Sequence, residues 1–121
     1  MYMKHVLSIA GVDPSGGAGV IADLKVFAAH GVYAMGAITA LTAQNTKGIF
    51  DMQLVECDLI AKQIEAIFDD IRVDAVKIGV VPSEQIIKTV AATLRKVSNL
   101  PPVVLDPVMS CKNGDIWLEG A

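Results

Sequence analysis

Charge is scarce in this chain. Asp, Glu, Lys and Arg make up 19% of its 121 residues, the formal net charge is -3, and neither sign runs in blocks. Nothing here would draw a phosphate backbone or an anionic membrane surface, so neither nucleic acid nor membrane is expected as a partner. Cysteine is also scarce: Cys57 and Cys111 fall in no metal-binding or redox spacing. They are expected as reduced thiols of a cytoplasmic protein rather than as a disulfide. No apolar stretch reaches the ~18 uncharged residues of a membrane span, and the longest strongly apolar run, residues 34–43, is strand-like. No basic leader followed by an apolar segment opens the chain, which speaks against a signal peptide. Repeats, linkers and low-complexity tracts are likewise missing.

What is present is apolar side chain, 53% of the residues, which excludes disorder and favours a heavily buried sheet. The length allows at most one domain, and one of this size buries about two-thirds of its unfolded surface. Four strand–helix cycles are legible. Strands are predicted at residues 5–10, 32–42, 74–81 and 102–106, the last ended by Pro107. Helices are predicted at 19–30, 58–68 and 83–97. Gly31 stops the first helix, Asp58 caps the second, and Ser83 caps the third. Ile60, Ile64 and Ile67 share one face of the second helix; Ile86, Val90, Leu94 and Val97 share one face of the third. Residues 46–55 read as a loop with a short extended piece at 52–55. Beyond the fourth strand, Asn113-Gly114 marks a turn and residues 116–118 a short strand. Strands alternating with helices, each strand apolar along most of its length, predict an α/β fold with a mainly parallel sheet covered on both faces.

Such a sheet brings its strand carboxyl ends to one edge, where open α/β folds bind ligands. The first end carries Gly11-Val12-Asp13-Pro14-Ser15-Gly16-Gly17-Ala18-Gly19, a glycine-rich turn into a helix. The second carries Gln44, Asn45 and Thr46, the third Gly79 and Val80, and the fourth Asp106. Each has two readings. Asp13-Pro14 either shapes the turn or faces a ligand. The glycines either let a bound group approach the backbone or let helix and strand pack closely, and they lack the Lys-Ser/Thr of a Walker loop. Asp23, one turn into the helix, either presents a carboxylate at the same place or is solvated and favoured by the helix dipole. Gln44 either caps its strand or offers a ligand both a donor and an acceptor. Asp106 either belongs to a turn or supports an indirectly bound cation. His5 and His30 sit at element boundaries and read as structural or solvated; Met35, Met52 and Met109 read as core filling.

The run from Ile9 to Gly19, followed by Ala22-Asp23-Leu24-Lys25, resembles the opening of the hydroxymethylpyrimidine/phosphomethylpyrimidine kinases of thiamine biosynthesis. The likeness continues through Ile38-Thr39-Ala40-Leu41-Thr42-Ala43-Gln44-Asn45-Thr46, Lys77-Ile78-Gly79 and Val104-Leu105-Asp106-Pro107-Val108-Met109, in order and across nearly the whole chain. It implies a ribokinase-like three-layer αβα fold, incomplete here, with the chain forming the N-terminal part of one kinase domain. It implies transfer of the γ-phosphoryl group of ATP, with Mg²⁺, to the hydroxymethyl oxygen of an aminopyrimidine and then to its monophosphate. By motif, Gly11, Asp23, Gln44, Val80 and Val108 would line the pyrimidine pocket, and Asp106 would organise Mg²⁺ and the phosphates. Val80 departs from the pattern, since a Met commonly follows the Ile-Gly pair, and the shorter side chain leaves extra room over the ring.

The resemblance also implies a missing portion. The family is roughly twice this length, and its second half carries the glycine-rich anion hole, the catalytic aspartate and cysteine, and much of the ATP site. Cys111 lies in another context and does not fill that role. No catalytic residue is therefore expected in this chain, and no turnover from it alone. An open half-sheet is expected to associate with itself or with a C-terminal half. Two alternatives remain: a non-catalytic short homologue that binds a pyrimidine or a partner, and a pyridoxal-kinase-like enzyme.

Overall fold

The computed structural model describes residues 2–79 and 81–106. Val80, Val108, Met109, Cys111, the Asn113-Gly114 turn and the strand expected at 116–118 lie outside the described residues. The chain runs β1 (His5–Val12), α1 (Gly19–Ala29), β2 (Tyr33–Asn45), β3 (Gly48–Leu54), α2 (Cys57–Asp70), β4 (Ala75–Ile78), α3 (Glu84–Arg95) and β5 (Val103–Leu105). Among the described residues these strands form one sheet in the order β3-β2-β1-β4-β5. It is parallel except for β3, which pairs antiparallel with β2. The expected α/β class and mainly parallel sheet are what the structure has.

β3 carries the short extended piece expected at 52–55 back to Gly48 and so corrects most of the loop expected at 46–55. It is a short edge strand that is exposed at Phe50, Asp51, Gln53 and Leu54 and half-buried only at Gly48, Ile49 and Met52, too weak a pattern to stand out. The hairpin closes through Thr46 and Lys47, with the Asn45 side chain accepting the Lys47 N–H at 2.8 Å. α2 also differs from expectation. It starts one residue earlier, so its N-cap is Glu56, without a side-chain cap bond, and Asp58 sits in the first turn near the positive end of the dipole. Ser83 caps α3 as expected, accepting the Ile86 N–H at 3.1 Å. Gly31 (φ 73°) ends α1 as expected: its N–H reaches the carbonyl of Ala28 and the Val32 N–H that of Phe27, a paired closure that needs the left-handed residue.

Strand alternation divides the core. Leu7 and Ile9 of β1, Met35 and Ala37 of β2 and Val76 of β4 face α2 and α3, where Ile60, Ile64, Ile86, Val90 and Leu94 complete one buried cluster. Truncating a fully buried Leu or Ile there is worth about 2–5 kcal/mol. The other face of β1 and β2 carries α1. That contact is close: a Cβ on Gly36 would lie 2.6 Å from Val20 Cγ1. Gln63 of α2 adds a polar clasp, accepting the Ile38 N–H at 2.9 Å and donating to the Ile38 carbonyl at 3.0 Å. It serves β2 there as a neighbouring strand would, just before the β3 ladder begins at Ala40. At the opposite edge β5 is exposed, with Val104 and Leu105 about 60% accessible, so the expected two-sided cover does not reach it.

The amino-terminal edge is tied by Asp74. Its carboxylate accepts the His5 N–H at 2.8 Å and the Tyr2 hydroxyl at 2.9 Å, and Arg72 Nε lies 3.3 Å away. The His5 backbone bond, helped by Tyr2 and Arg72, holds the Asp74 carboxyl below its ordinary 3.8 against a smaller opposing effect of desolvation. A depressed folded value means stabilisation that is present above the unfolded value and lost as pH falls through the folded one. Thermal melts of wild type and Asp74→Asn should therefore differ at neutral pH and converge only as the pH falls below 3.8 and through the lowered value at which the folded carboxyl protonates. A gap that stays constant down the acid limb would contradict this role.

Candidate functional site

Four parallel strands end at one edge, and backbone bonds fix their ends against one another. The Gly79 N–H donates to the carbonyl of Ile9 and the Asp106 N–H to that of Ile78, both at 2.9 Å. Beyond β1 the chain enters the glycine-rich turn. Asp13 is 3% exposed and its carboxylate points into that turn. Oδ1 accepts the Ser15 N–H at 2.9 Å and the Ser15 hydroxyl at 2.7 Å, and Oδ2 accepts the Gly17 N–H at 3.1 Å. Asp13 thus shapes the turn. Lys25 closes the other side by donating to the Gly16 carbonyl at 3.1 Å.

Gly19 shows why the turn needs glycine. Its φ is +64°, and a Cβ there would collide with the Gly11 carbonyl oxygen. The start of α1 is pressed against the end of β1, and Val12 and Gly19 form a β-bridge. Close helix–strand approach is therefore a role of this glycine. The α1 N-cap, Ala18, makes no side-chain cap bond.

Gln44 sits near the end of β2 rather than in a loop after it. β2 outruns β1, whose last paired residue Val12 lies opposite Leu41, so residues 42–45 project beyond the neighbouring strand and pair with β3 alone. The ladder shifts between Ala43 and Gln44, passing over Phe50. Such a bulge re-aims the side chains around it. Thr42 Oγ1 lies 2.9 Å from the Val12 carbonyl oxygen and 3.1 Å from Gln44 Oε1, which ties the end of β1 to the Gln44 amide.

Asp23 does not turn toward the glycines. Its carboxylate lies against the sheet face, where Lys77 Nζ is 2.9 Å from both oxygens and the Ser8 hydroxyl donates to Oδ2 at 2.7 Å. Both sides of the ion pair are mostly covered, at 17% and 24% side-chain exposure. Gly79 belongs to the same cluster: a Cβ on it would stand 3.2 Å from Lys77 Nζ and 3.1 Å from Ala10 Cβ. Gly11 is buried at the end of β1, and Asp106 is exposed just past β5. The fold thus places Gly11, Gln44 and Asp106 at the carboxyl edge and Asp23 beneath α1 on the adjoining face.

Among the described residues no group of three His, Cys, Asp or Glu side chains could hold a metal ion. A magnesium ion carried by phosphates needs only one or two carboxylates, which Asp106 fits. A groove of about 400 Å³ between α2 and α3, lined by Ile64, Phe68, Thr93 and Val97, lies toward the helix C-termini and so away from the carboxyl edge. No described helix is long and apolar enough to cross a membrane.

Residues 13–121 match the family model described as phosphomethylpyrimidine kinase. The chain belongs to the phosphomethylpyrimidine kinase family. It is 47% identical over 119 residues to the hydroxymethylpyrimidine/phosphomethylpyrimidine kinase of Escherichia coli K12, covering 98% of this chain and 44% of that protein. A Mycobacterium bovis relative of the same name is 49% identical over 115 residues, with 42% of it covered. The chain spans less than half the length of these curated relatives. The crystal structure of phosphomethylpyrimidine kinase from Clostridium difficile superposes with a TM-score of 0.89 at 50% identity, covering 97% of this chain and 50% of that one. A Staphylococcus aureus pyridoxal kinase in complex with pyridoxal gives 0.81 at 38% identity, covering 93% and 42%. The ribokinase-like assignment of the fold rests on these neighbours.

Sequence reasoning missed Ser8, Thr42 and the pairing of Lys77 with Asp23. The signal was there for Lys77: a lone cation between Val76 and Ile78 in a buried strand needs a counter-charge, and Asp23 supplies one. The Gly19→Ala variant tests the packing of the turn. A left-handed residue and a carbonyl collision together should cost about 2 kcal/mol or more, read as a lowered Tm. An unchanged Tm would mean that the start of α1 can move off β1 freely.

Proposed function

We propose that this chain supplies the pyrimidine-binding side of a kinase that phosphorylates 4-amino-5-hydroxymethyl-2-methylpyrimidine, and then its monophosphate, in thiamine biosynthesis. The observation that carries the reading is the gathering of Gly11, Gln44 and Asp106 at one sheet edge beside Asp23, in a chain 47% identical to a curated kinase of that name. Gln44 offers an amide donor and acceptor to the ring nitrogen and amino group of an aminopyrimidine. Asp23 offers carboxylate lone pairs to the same amino group. Gly11 leaves the ring close to backbone, and Val80 and Val108 would flank it. In the transfer, the hydroxymethyl oxygen would bond to the γ-phosphorus of ATP as the bond to the β-phosphate oxygen breaks, ADP would leave, and the hydroxyl proton would pass to a base in the remainder of the kinase domain. Solved complexes of the S. aureus pyridoxal kinase with AMP-PCP and with ADP support a nucleotide as the phosphoryl donor. Magnesium would neutralise charge on the phosphates, with Asp106 the carboxylate placed to help hold it. The residues that stabilise the transferred group are expected in the remainder of the kinase domain. This chain therefore acts by binding and orienting.

Calorimetry tests the pocket. In a full-length kinase, Gln44→Ala should weaken binding of the aminopyrimidine by about 1–3 kcal/mol and leave ATP affinity nearly unchanged; unchanged pyrimidine affinity would remove Gln44 from the site. A coupled ADP-release assay tests the division of roles. The 121-residue chain should read background with hydroxymethylpyrimidine. Combined with the second half of the E. coli relative it should turn over, and Asp106→Asn should then lower the rate while pyrimidine affinity persists. Turnover by the chain alone would overturn the division, and a wild-type rate for Asp106→Asn across a Mg²⁺ titration would overturn the role of Asp106.

A further inference from the structure

The Asp23 carboxylate is nearly saturated, and its partners are all donors. Oδ2 accepts from both the Lys77 ammonium and the Ser8 hydroxyl; Oδ1 accepts from Lys77 alone. A carboxylate has about four lone-pair sites, so among the described contacts one site on Oδ1 remains. A lysine ammonium has no acceptor and a carboxylate has no donor, so the open site takes only a hydrogen-bond donor. The pair is built into the sheet. Ser8 is fully buried on the central strand, Lys77 rises from the next strand, and bare Gly79 leaves room for the ammonium. By register Lys77 lies beside Val104, which is 62% exposed, so the pair adjoins open surface on its β5 side.

We propose that Lys77, with Ser8, is a specificity-determining positioning residue: it holds Asp23 as an acceptor-only group and so selects an amino-bearing heterocycle over one without the amino donor. The inference rests on the aminopyrimidine reading above and adds to it the means of discrimination. Lys77 itself touches no ligand. Without the ammonium, the mostly covered carboxylate loses its counter-charge and two of the contacts that orient it, and the preference for an N–H donor falls.

The test is a comparison of two ligands on the wild-type chain and its variants by calorimetry: 4-amino-5-hydroxymethyl-2-methylpyrimidine and the same pyrimidine lacking the 4-amino group. Wild type should prefer the amino compound by about tenfold to a hundredfold, the range for a hydrogen bond to a charged group. Lys77→Met should reduce that ratio to within about threefold, mainly by losing affinity for the amino compound, and Lys77→Arg should restore most of it. A merely structural role would weaken both ligands together and leave the ratio intact, and that result overturns the proposal. If circular dichroism shows Lys77→Met unfolded, Ser8→Ala decides. Removing one donor from Oδ2 should lower the ratio by roughly threefold, and an unchanged ratio overturns the proposal. A wild-type chain that binds neither compound would overturn the pyrimidine reading itself, a result distinct from a persistent ratio in the variants.

Discussion

β1 is paired in parallel on both sides, and the rest of the molecule depends on that constraint. A parallel neighbour cannot be reached by a tight turn, so the connections on either side must cross the sheet as helices. α1 crosses one face to β2; α2 and α3 follow on the other. Leu7, Ser8, Ile9 and Ala10 are completely buried in consequence, since both faces of this strand are covered. The same constraint sends the ends of β1, β2, β4 and β5 to one edge. Chemistry collects there because hydrogen-bond register, and not loop flexibility, fixes where each strand stops.

A central strand covered on both faces should be wholly apolar, and Ser8 breaks that rule. Its hydroxyl is one of three contacts that converge on Asp23, with Lys77 making the other two. An ion pair this well covered is weak support for stability, because removing two charges from water offsets much of their attraction. A pair of hydrophobic residues of similar volume would fill the same space without that desolvation. What the pair contributes instead is direction: three contacts from two strands hold the carboxylate of one helix residue against the sheet face. Asp13 does the same for the glycine turn, with three donors fixing a buried carboxylate. The two aspartates look alike in the sequence and do different work, one closing a loop and the other pairing with a cation across the sheet face.

The elements with strong periodicity were legible. α3 shows helical spacing of Ile86, Val90 and Leu94 with Ser83 ahead of it, and both the buried face and the cap are as the pattern predicts. β3 was legible only at its end, as the extended piece at 52–55, because an edge strand needs no continuous apolar pattern; its pairing comes from β2 outrunning β1, a tertiary fact. The cap of α2 was misplaced because Asp58 has the right chemistry one position inside the helix, where the dipole favours it equally. For the site, alternation of strands and helices was enough to place Gly11, Gln44 and Asp106 at one edge. The orientation of Asp23 was not accessible to that reasoning. Its partner lies 54 residues away on β4, and only the β1–β4 register brings Lys77 beside Ser8.

Charge is distributed unevenly over the site, and the distribution follows from what each side chain faces. The Asp23–Lys77 pair is neutral as a unit. Gln44 is neutral and tied to the strand beside it through Thr42. Asp106 differs: it is exposed and, among the described residues, makes no ion pair. The two aspartates therefore meet different surroundings: Asp23 lies against a counter-charge on the sheet face, whereas Asp106 is exposed just past β5, and the difference depends on Lys77 standing at one of them and not at the other.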